Sequence, residues 1–316
     1  MVLDPDTRVV ALAGGVGGAK LAFGLSRVLG PDRLTIIGNI ADDFELYGLH
    51  ISPDLDTLMY TLAGVANPAT GWGIADDTGN MLDMLRRYGE DTWFWLGDRD
   101  MATHLLRTHW LAEGTTLTEV TDRLASGLGL QHRLLPATDD PVGTMVDTVE
   151  HGTLGFQEYF VRWRWQPTAR RVWYRGIEQA RMTDAVADAL QKAHLIVFCP
   201  SNPVLSVEPI LAVPGVREAL KARCGPCVAV SPFVGGKAVK GPASKLMPEL
   251  GLGISPDGLL RYYTGLLDGL VIDVSDRDNL PSGGISVLIT PTLMQSDEDR
   301  IALARKVLEW ASGIAA

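Results

Sequence analysis

The strongest constraint on the fold of this chain is a rhythm. Short aliphatic runs, each too brief for a buried helix, alternate with longer amphipathic stretches. RVVALAG (8–14), RLTIIGN (33–39), HLIVFCP (194–200), CVAVSP (227–232), GLVIDV (269–274) and ISVLITP (285–291) are β-branched or aliphatic on both faces. A strand that is apolar on both faces belongs inside a parallel sheet covered by helices. Helix-forming stretches lie between the runs: AKLAFGLSRVLG follows the first, and PILAVPGVREALKARC, divided at Pro214, follows HLIVFCP. A closing helix, DEDRIALARKVLEWASG, has Ser296 placed to cap its start and Gly313 just past its end. The expectation is a single α/β domain over 1–316, Rossmann-like, with a mainly parallel sheet and helices on both faces. Ligands then gather at the carboxyl ends of the strands.

Two segments depart from the rhythm. From about 74 to 130 the pattern is helical, with a capping box in TTLTEVTDRLASG, where Thr116 is the N-cap and Glu119 follows three residues later. This stretch is expected to be a helical insertion. From about 153 to 176, TLGFQEYFVRWRWQPTARRVWYRG alternates aromatic residues with arginine and turns at Gln166–Pro167, which predicts a β-hairpin.

Composition narrows the function. With 316 residues, 46% of them hydrophobic, the chain can bury a large core. A net charge of -10 argues against nucleic acid or an anionic membrane surface as partner. No run approaches 18 apolar residues, so no membrane span is expected. The N-terminal MVLDPDTRVVALAGG has acids before its short apolar run and no small-residue cleavage signal, unlike a secretory peptide. Three cysteines are too few for a disulfide framework, which suits a reducing cytoplasm. RCGPC has the spacing of a redox motif, but Cys224 and Cys227 follow a helix instead of opening one. The dipole that would activate a thiol is missing there.

LAGGVGGAKL (12–21) joins the first strand to a helix, where free backbone N–H groups and the helix dipole favour phosphate. Gly14, Gly15, Gly17 and Gly18 let the backbone approach phosphate oxygens, and Lys20 adds a positive charge. Neither the dinucleotide fingerprint nor the Walker A loop fits. Lys20 stands where the third glycine belongs, Ala19–Lys20–Leu21 replaces Gly-Lys-Ser/Thr, and the second strand ends in Gly38–Asn39 without a ribose-binding acid. CPSNPVLSVEPI and SPFVGGKAVKGPAS follow two further strands, which would bring Ser201, Asn202, Gly235, Gly236 and Lys237 to the same crevice, with Asn39 beside them.

GNIADDFELYGLHISPDLDTLMYTLAG (38–64) concentrates Asp42, Asp43, Asp54 and Asp56. Carboxylates repel a polyanionic substrate unless a divalent cation bridges them, and hard oxygen ligands suit magnesium. A plainer account covers the second pair: Ser52 caps a helix with Pro53 at its first position, and Asp54 and Asp56 complement the dipole.

GGVGGAKL, DDFELYGLHISPDLDTLMYTLAG, LGDRDMATHLLR, LLPATDDPV, FQEYFVR, PSNPVLSVEPIL and VKGPA occur in the order found in the 2-phospho-L-lactate transferase family, which the chain resembles from about residue 8 to 290. The resemblance implies a GMP-releasing transfer in coenzyme F-420 biosynthesis. The donor is a guanosine diphosphate ester of 2-phospholactate or of enolpyruvate. The acceptor is the ribityl hydroxyl of Fo (7,8-didemethyl-8-hydroxy-5-deazariboflavin), and the chemistry is magnesium-dependent phosphoryl-group transfer. It implies catalytic roles for Asp43 and Asp56, with Asp43, Asp54 and Asp56 at the metal. It further implies guanosine nucleotide binding by the Gly14–Lys20 loop, Ser201 and Asn202; Asn39, Gly235 and Gly236, at strand ends on the same crevice, are expected to join them. Asp56, His50 and Trp95 would face Fo; Trp95 stands where archaeal-type members tend to have a basic residue. A cytoplasmic homodimer is the expected assembly. The rivals are a nucleotide-sugar-binding regulatory protein without catalysis and a nicotinamide oxidoreductase; the missing ribose acid counts against the latter.

Overall fold

The computed structural model describes Asp4 and residues 6–314. Its centre is a seven-stranded parallel sheet. Edge to edge, the strands are Ser286–Ile289, Gly269–Ile272, Cys227–Val230, Leu195–Phe198, Val9–Ala13, Leu34–Gly38 and Arg133–Pro136. All neighbours pair in parallel, for example Ala11 with Ile36 on one side and with Val197 on the other. The six predicted strands are present. The seventh, in RLLP, combines an arginine, two leucines and a proline, so its strand character is carried by pairing with Leu34–Gly38. Four of the five inner strands are buried throughout, as the both-faces-apolar pattern demands, and in the fifth, Leu34–Gly38, only Thr35 is partly exposed.

Helix α1 (Gly15–Val28) packs against both α2 (Pro53–Ala63) and the closing helix Asp297–Ala311. By the right-handed crossover rule these share one face, and Asp184–Gln191, Glu208–Ala212 and Val216–Lys221 lie on the other. Ser296 caps the closing helix, and Pro214 separates Glu208–Ala212 from Val216–Lys221. The insertion contains α3 (Asn80–Arg87), α4 (Asp100–Ala112) and α5 (Leu117–Gly127), the last with the Thr116–Glu119 capping box.

The hairpin expected over 153–176 is not formed. Gly152–Gly155 and Ala169–Arg175 both pair with Gly143–Thr148, which lies between them in a three-stranded antiparallel sheet. The aromatic and arginine alternation at 158–165 instead winds into a π-helical turn, Glu158–Arg162, and Arg164 and Trp165 take positive φ. The true hairpin closes at residues 149–151, where no glycine or proline marks the turn before Gly152.

A second hairpin has direct bearing on function. Phe44–Leu46 pairs with Leu49–Ile51 across a two-residue turn, Tyr47 and Gly48, both at positive φ (52° and 72°). That is the type I′ geometry matching strand twist. It folds the DD pair back onto the start of α2.

Candidate functional site

One cavity of about 770 Å³ opens at the carboxyl ends of the strands. Its walls come from the segments that follow five of them: Gly14–Gly17 and Lys20, Asp42, Ser201–Asn202, Ser231–Pro232 and Thr292–Met294. It includes the point where α1 and the Pro200–Asn202 loop leave adjacent strands, where an open α/β sheet leaves a crevice.

The glycine loop is shaped by packing as well as by access. A Cβ on Gly17 would run into the Pro200 carbonyl oxygen, and one on Gly18 into Ser201 Oγ. Gly15 has φ +61°. The Gly14 amide donates to Ser201 Oγ (3.1 Å), so Ser201 holds the loop. Gly14 offers no side-chain cap; the Asp54 carboxylate takes the Gly15 amide, and the rest of the first turn, with Val16 and Gly17, borders the cavity. Asn202 Oδ1 accepts from the Val204 and Leu205 amides. Lys20 Nζ donates to the Met294 carbonyl at 2.7 Å. Gly235 and Gly236 stand outside the cavity wall, and their amides donate to the Asp276 carboxylate, so the expected phosphate contact there is replaced by an internal one.

The aspartates divide into two groups. In the first, Asp43 Oδ2 accepts from Ser52 Oγ (2.7 Å) and lies 3.0 Å from His50 Nε2. Ser52 therefore occupies the N-cap position of α2 without capping it; its hydroxyl is spent on Asp43. Asn39 Nδ2 donates to Asp54 Oδ2 (2.9 Å), which makes Asn39 a support for a carboxylate and not a wall of the cavity. Burial raises the Asp42 carboxyl well above the usual range, with the Asp54 charge adding to it. Burial also raises Asp43. Asp54 is pushed up to about 6 by burial, against the pull of Asn39 and the Gly15 amide. Asp42 and Asp54 line the cavity; Asp43 and His50 stand behind it.

In the second group, Asp56 Oδ1 and Oδ2 both accept from Arg107, a guanidinium only 1% exposed. Arg107 Nη1 also faces His104 Nδ1 at 3.3 Å, which leaves the imidazole proton on Nε2, 3.4 Å from Asp100 Oδ2. Tyr60 donates to Asp100 Oδ1 at 2.6 Å. Burial alone would raise the Asp100 carboxyl, but His104 and Tyr60 hold it below the usual range. Asp56 is thus engaged by a buried arginine from the insertion, and it also belongs to a second cluster, in which ligand atoms of Asp56, Asp100 and His104 all lie within 4.8 Å of one another. The signal was present in LGDRDMATHLLR. Asp100, His104 and Arg107 recur at helical spacing on one face of α4.

Aromatic side chains form the mouth. Trp72, Trp93, Phe94 and Trp95 line one lip, and Phe156, Phe160 and Trp165 the other. Phe160 stacks on both Phe156 (5.2 Å) and Trp165 (5.1 Å), while Trp72 meets Trp95 edge-on. Arg162 joins the lips by an ion pair to Asp91 (2.7 Å) and by lying over Trp93. Cys199 and Cys227 are buried and Cys224 is exposed; burial pushes the Cys227 thiol up to about 12.

A parallel α/β sheet with a glycine-rich helix start, a carboxylate cluster and an aromatic mouth at its switch point has its crevice where open α/β proteins bind their ligands. More specifically, the chain belongs to the 2-phospho-L-lactate transferase (CofD) family, whose model matches residues 9–282, and it is therefore a transferase. It is 42% identical to a phosphoenolpyruvate transferase of Kitasatospora aureofaciens, over 97% of this chain and 98% of that one. It is 38% identical to a 2-phospho-L-lactate transferase of Methanosarcina mazei, over 95% and 99%. A crystal structure of a UPF0052-family protein from Bacillus halodurans shares the fold, with a TM-score of 0.62 at 14% identity, covering 96% of this chain and 98% of that one. Among the described residues no helix is long and apolar enough to cross a membrane.

Proposed function

We propose that this transferase moves a phospholactyl or phosphoenolpyruvyl group from a guanosine diphosphate ester to the ribityl hydroxyl of Fo, releasing GMP, in coenzyme F-420 biosynthesis. The observation that carries the reading is the single cavity in which the glycine loop, Asp42 and Asp54 share space with the aromatic lips. A diphosphate fits the first end, and a planar deazaflavin fits between rings that stack at about 5 Å spacing in proteins generally. The acceptor oxygen attacks the phosphorus carrying the three-carbon group. The bond from that phosphorus to the bridging oxygen breaks, GMP leaves with that oxygen, and the hydroxyl proton passes to a carboxylate or to water. Such chemistry depends on positioning and on charge stabilisation.

Magnesium fits the first aspartate group. Asp42 Oδ1 and Asp43 Oδ1 are buried with no hydrogen-bond partner among the described residues, as ligand atoms awaiting a cation would be. Asp42 and Asp54 would hold the ion at the cavity, with Asp43 behind them; Asp56, engaged by Arg107, would orient the acceptor. When bound, the ion would neutralise charge on the diphosphate. The test is direct: incubate the protein with Fo, magnesium and each donor, then follow GMP release and the product mass. A dehydro-product from the enolpyruvyl donor, or a lactyl product from the other, identifies the group transferred. No GMP from either donor refutes the reading.

A further inference from the structure

We propose that Lys240, together with Lys20, forms the subsite for the carboxylate of the transferred three-carbon acid. The inference rests on the transferase reading above and adds a residue and a recognition element to it. Lactate and enolpyruvate, the acids in the names of the relatives, share one anionic group besides their phosphate: a carboxylate on the carbon that bears the ester oxygen. A carboxylate entering a cavity already rich in aspartate needs a cation that the diphosphate does not consume.

Among the described residues, the cavity wall contains two cationic side chains, Lys20 and Lys240. They come from opposite ends of the fold, one from α1 and the other from the loop before the helix Ala243–Glu249. Each ammonium makes one hydrogen bond to a carbonyl: Lys20 to Met294, and Lys240 to Thr70 at 3.3 Å. Each therefore keeps donors for an incoming anion. Arg300 lies nearby, ion-paired with Asp297 (3.0 Å) and with its Nε buried and unpartnered among the described residues. A second carboxylate in this corner, Asp299, is occupied with the amides of Gln295 and Ser296. The like charges press on one another. Burial lowers the Lys20 ammonium below its ordinary range, and Arg300 and Lys240 lower it further. An anion bound between the lysines relieves that repulsion.

The experiment compares two donors, the guanosine diphosphate ester of lactate and the ethyl ester of GDP, which lacks the carboxylate. Wild type should favour the lactyl donor in kcat/KM by roughly 10- to 100-fold, the range of one charged hydrogen bond. Lys240 is exposed, so Lys240→Gln should fold, and thermal melting will verify it. In that variant the preference should collapse towards one, and Lys240→Arg should restore it. A folded Lys240→Gln protein that keeps the preference overturns the subsite while leaving the transferase intact. Equal losses of affinity for GDP and for the lactyl donor would place the diphosphate at Lys240 and also overturn it. If wild type accepts only the enolpyruvyl donor, the same comparison is made with that ester; no GMP from either donor defeats the transferase reading itself, and the subsite with it.

Discussion

At the scale of single residues, Arg107 has the largest expected effect on stability. It is buried, bidentate to Asp56 and in contact with His104. Arg107→Met would leave the Asp56 carboxylate buried without its partner, at a cost of about 3–5 kcal/mol. Urea denaturation should show the midpoint fall, and an unchanged midpoint would mean that Asp56 is solvated or protonated instead. Gly17 is the second case. Because a Cβ there meets the Pro200 carbonyl, Gly17→Ala should destabilise by about 1–3 kcal/mol before any ligand is added. Gly30→Ala, in open space, should be nearly silent in the same melts. The four-glycine loop was legible as a site from its position between strand and helix. That two of its glycines serve the approach of Pro200–Ser201 was not, because the partner lies about 180 residues away. Asp56 likewise read as a dipole-complementing or metal-binding acid, and its arginine partner was hidden because Arg107 lies 51 positions further along the chain.

At the scale of elements, the hairpin turning at Tyr47–Gly48 joins DDF to the start of α2 and so assembles the Asp42, Asp43 and Asp54 group. If magnesium binds there, it should raise the melting temperature by mass action, worth about 2.7 kcal/mol at a hundredfold excess over Kd. Asp54→Asn should shrink the rise, and equal responses in wild type and variant would place the cation elsewhere. Asp273 ties two strand ends together, accepting from the Ser275 amide and from the Thr292 amide (2.8 Å). Burial alone would raise its carboxyl, yet Ser275 and Thr292 hold it below the usual range. The folded value is the depressed one, so its contribution to stability is complete above the ordinary carboxylate range and disappears as pH falls through the folded value. Asp273→Asn should cost about 1–3 kcal/mol at neutral pH and flatten the acid limb of the stability curve. A variant as acid-sensitive as wild type would assign that limb to other groups. Periodicity disclosed the buried strands and capped helices because burial on both faces and capping leave local marks. The three-stranded sheet escaped because its pairing skips over a π-helical turn whose aromatic alternation mimics a strand.

At the scale of the molecule, the sheet order places the first strand beside the central one and the last at one edge. The residue that receives the Lys20 ammonium, Met294, lies 274 positions further along the chain. At synthesis rates of roughly 5–20 residues per second, the glycine loop leaves the ribosome on the order of 14 to 55 s before that wall exists. Through that interval the central strands have apolar faces and no closing helix, which invites chaperones and slows folding through long-range pairing. Chains stalled after residue 284 should therefore bind a chaperone holdase and fail to retain GDP on a filter. Release of the last thirty or so residues should reverse both properties. A stalled chain that already holds GDP would show that the pocket is finished without its final strand. If capture instead awaits release, nucleotide binding acts as a timer, reporting that the residues beyond 284 have emerged and closed upon the glycine loop.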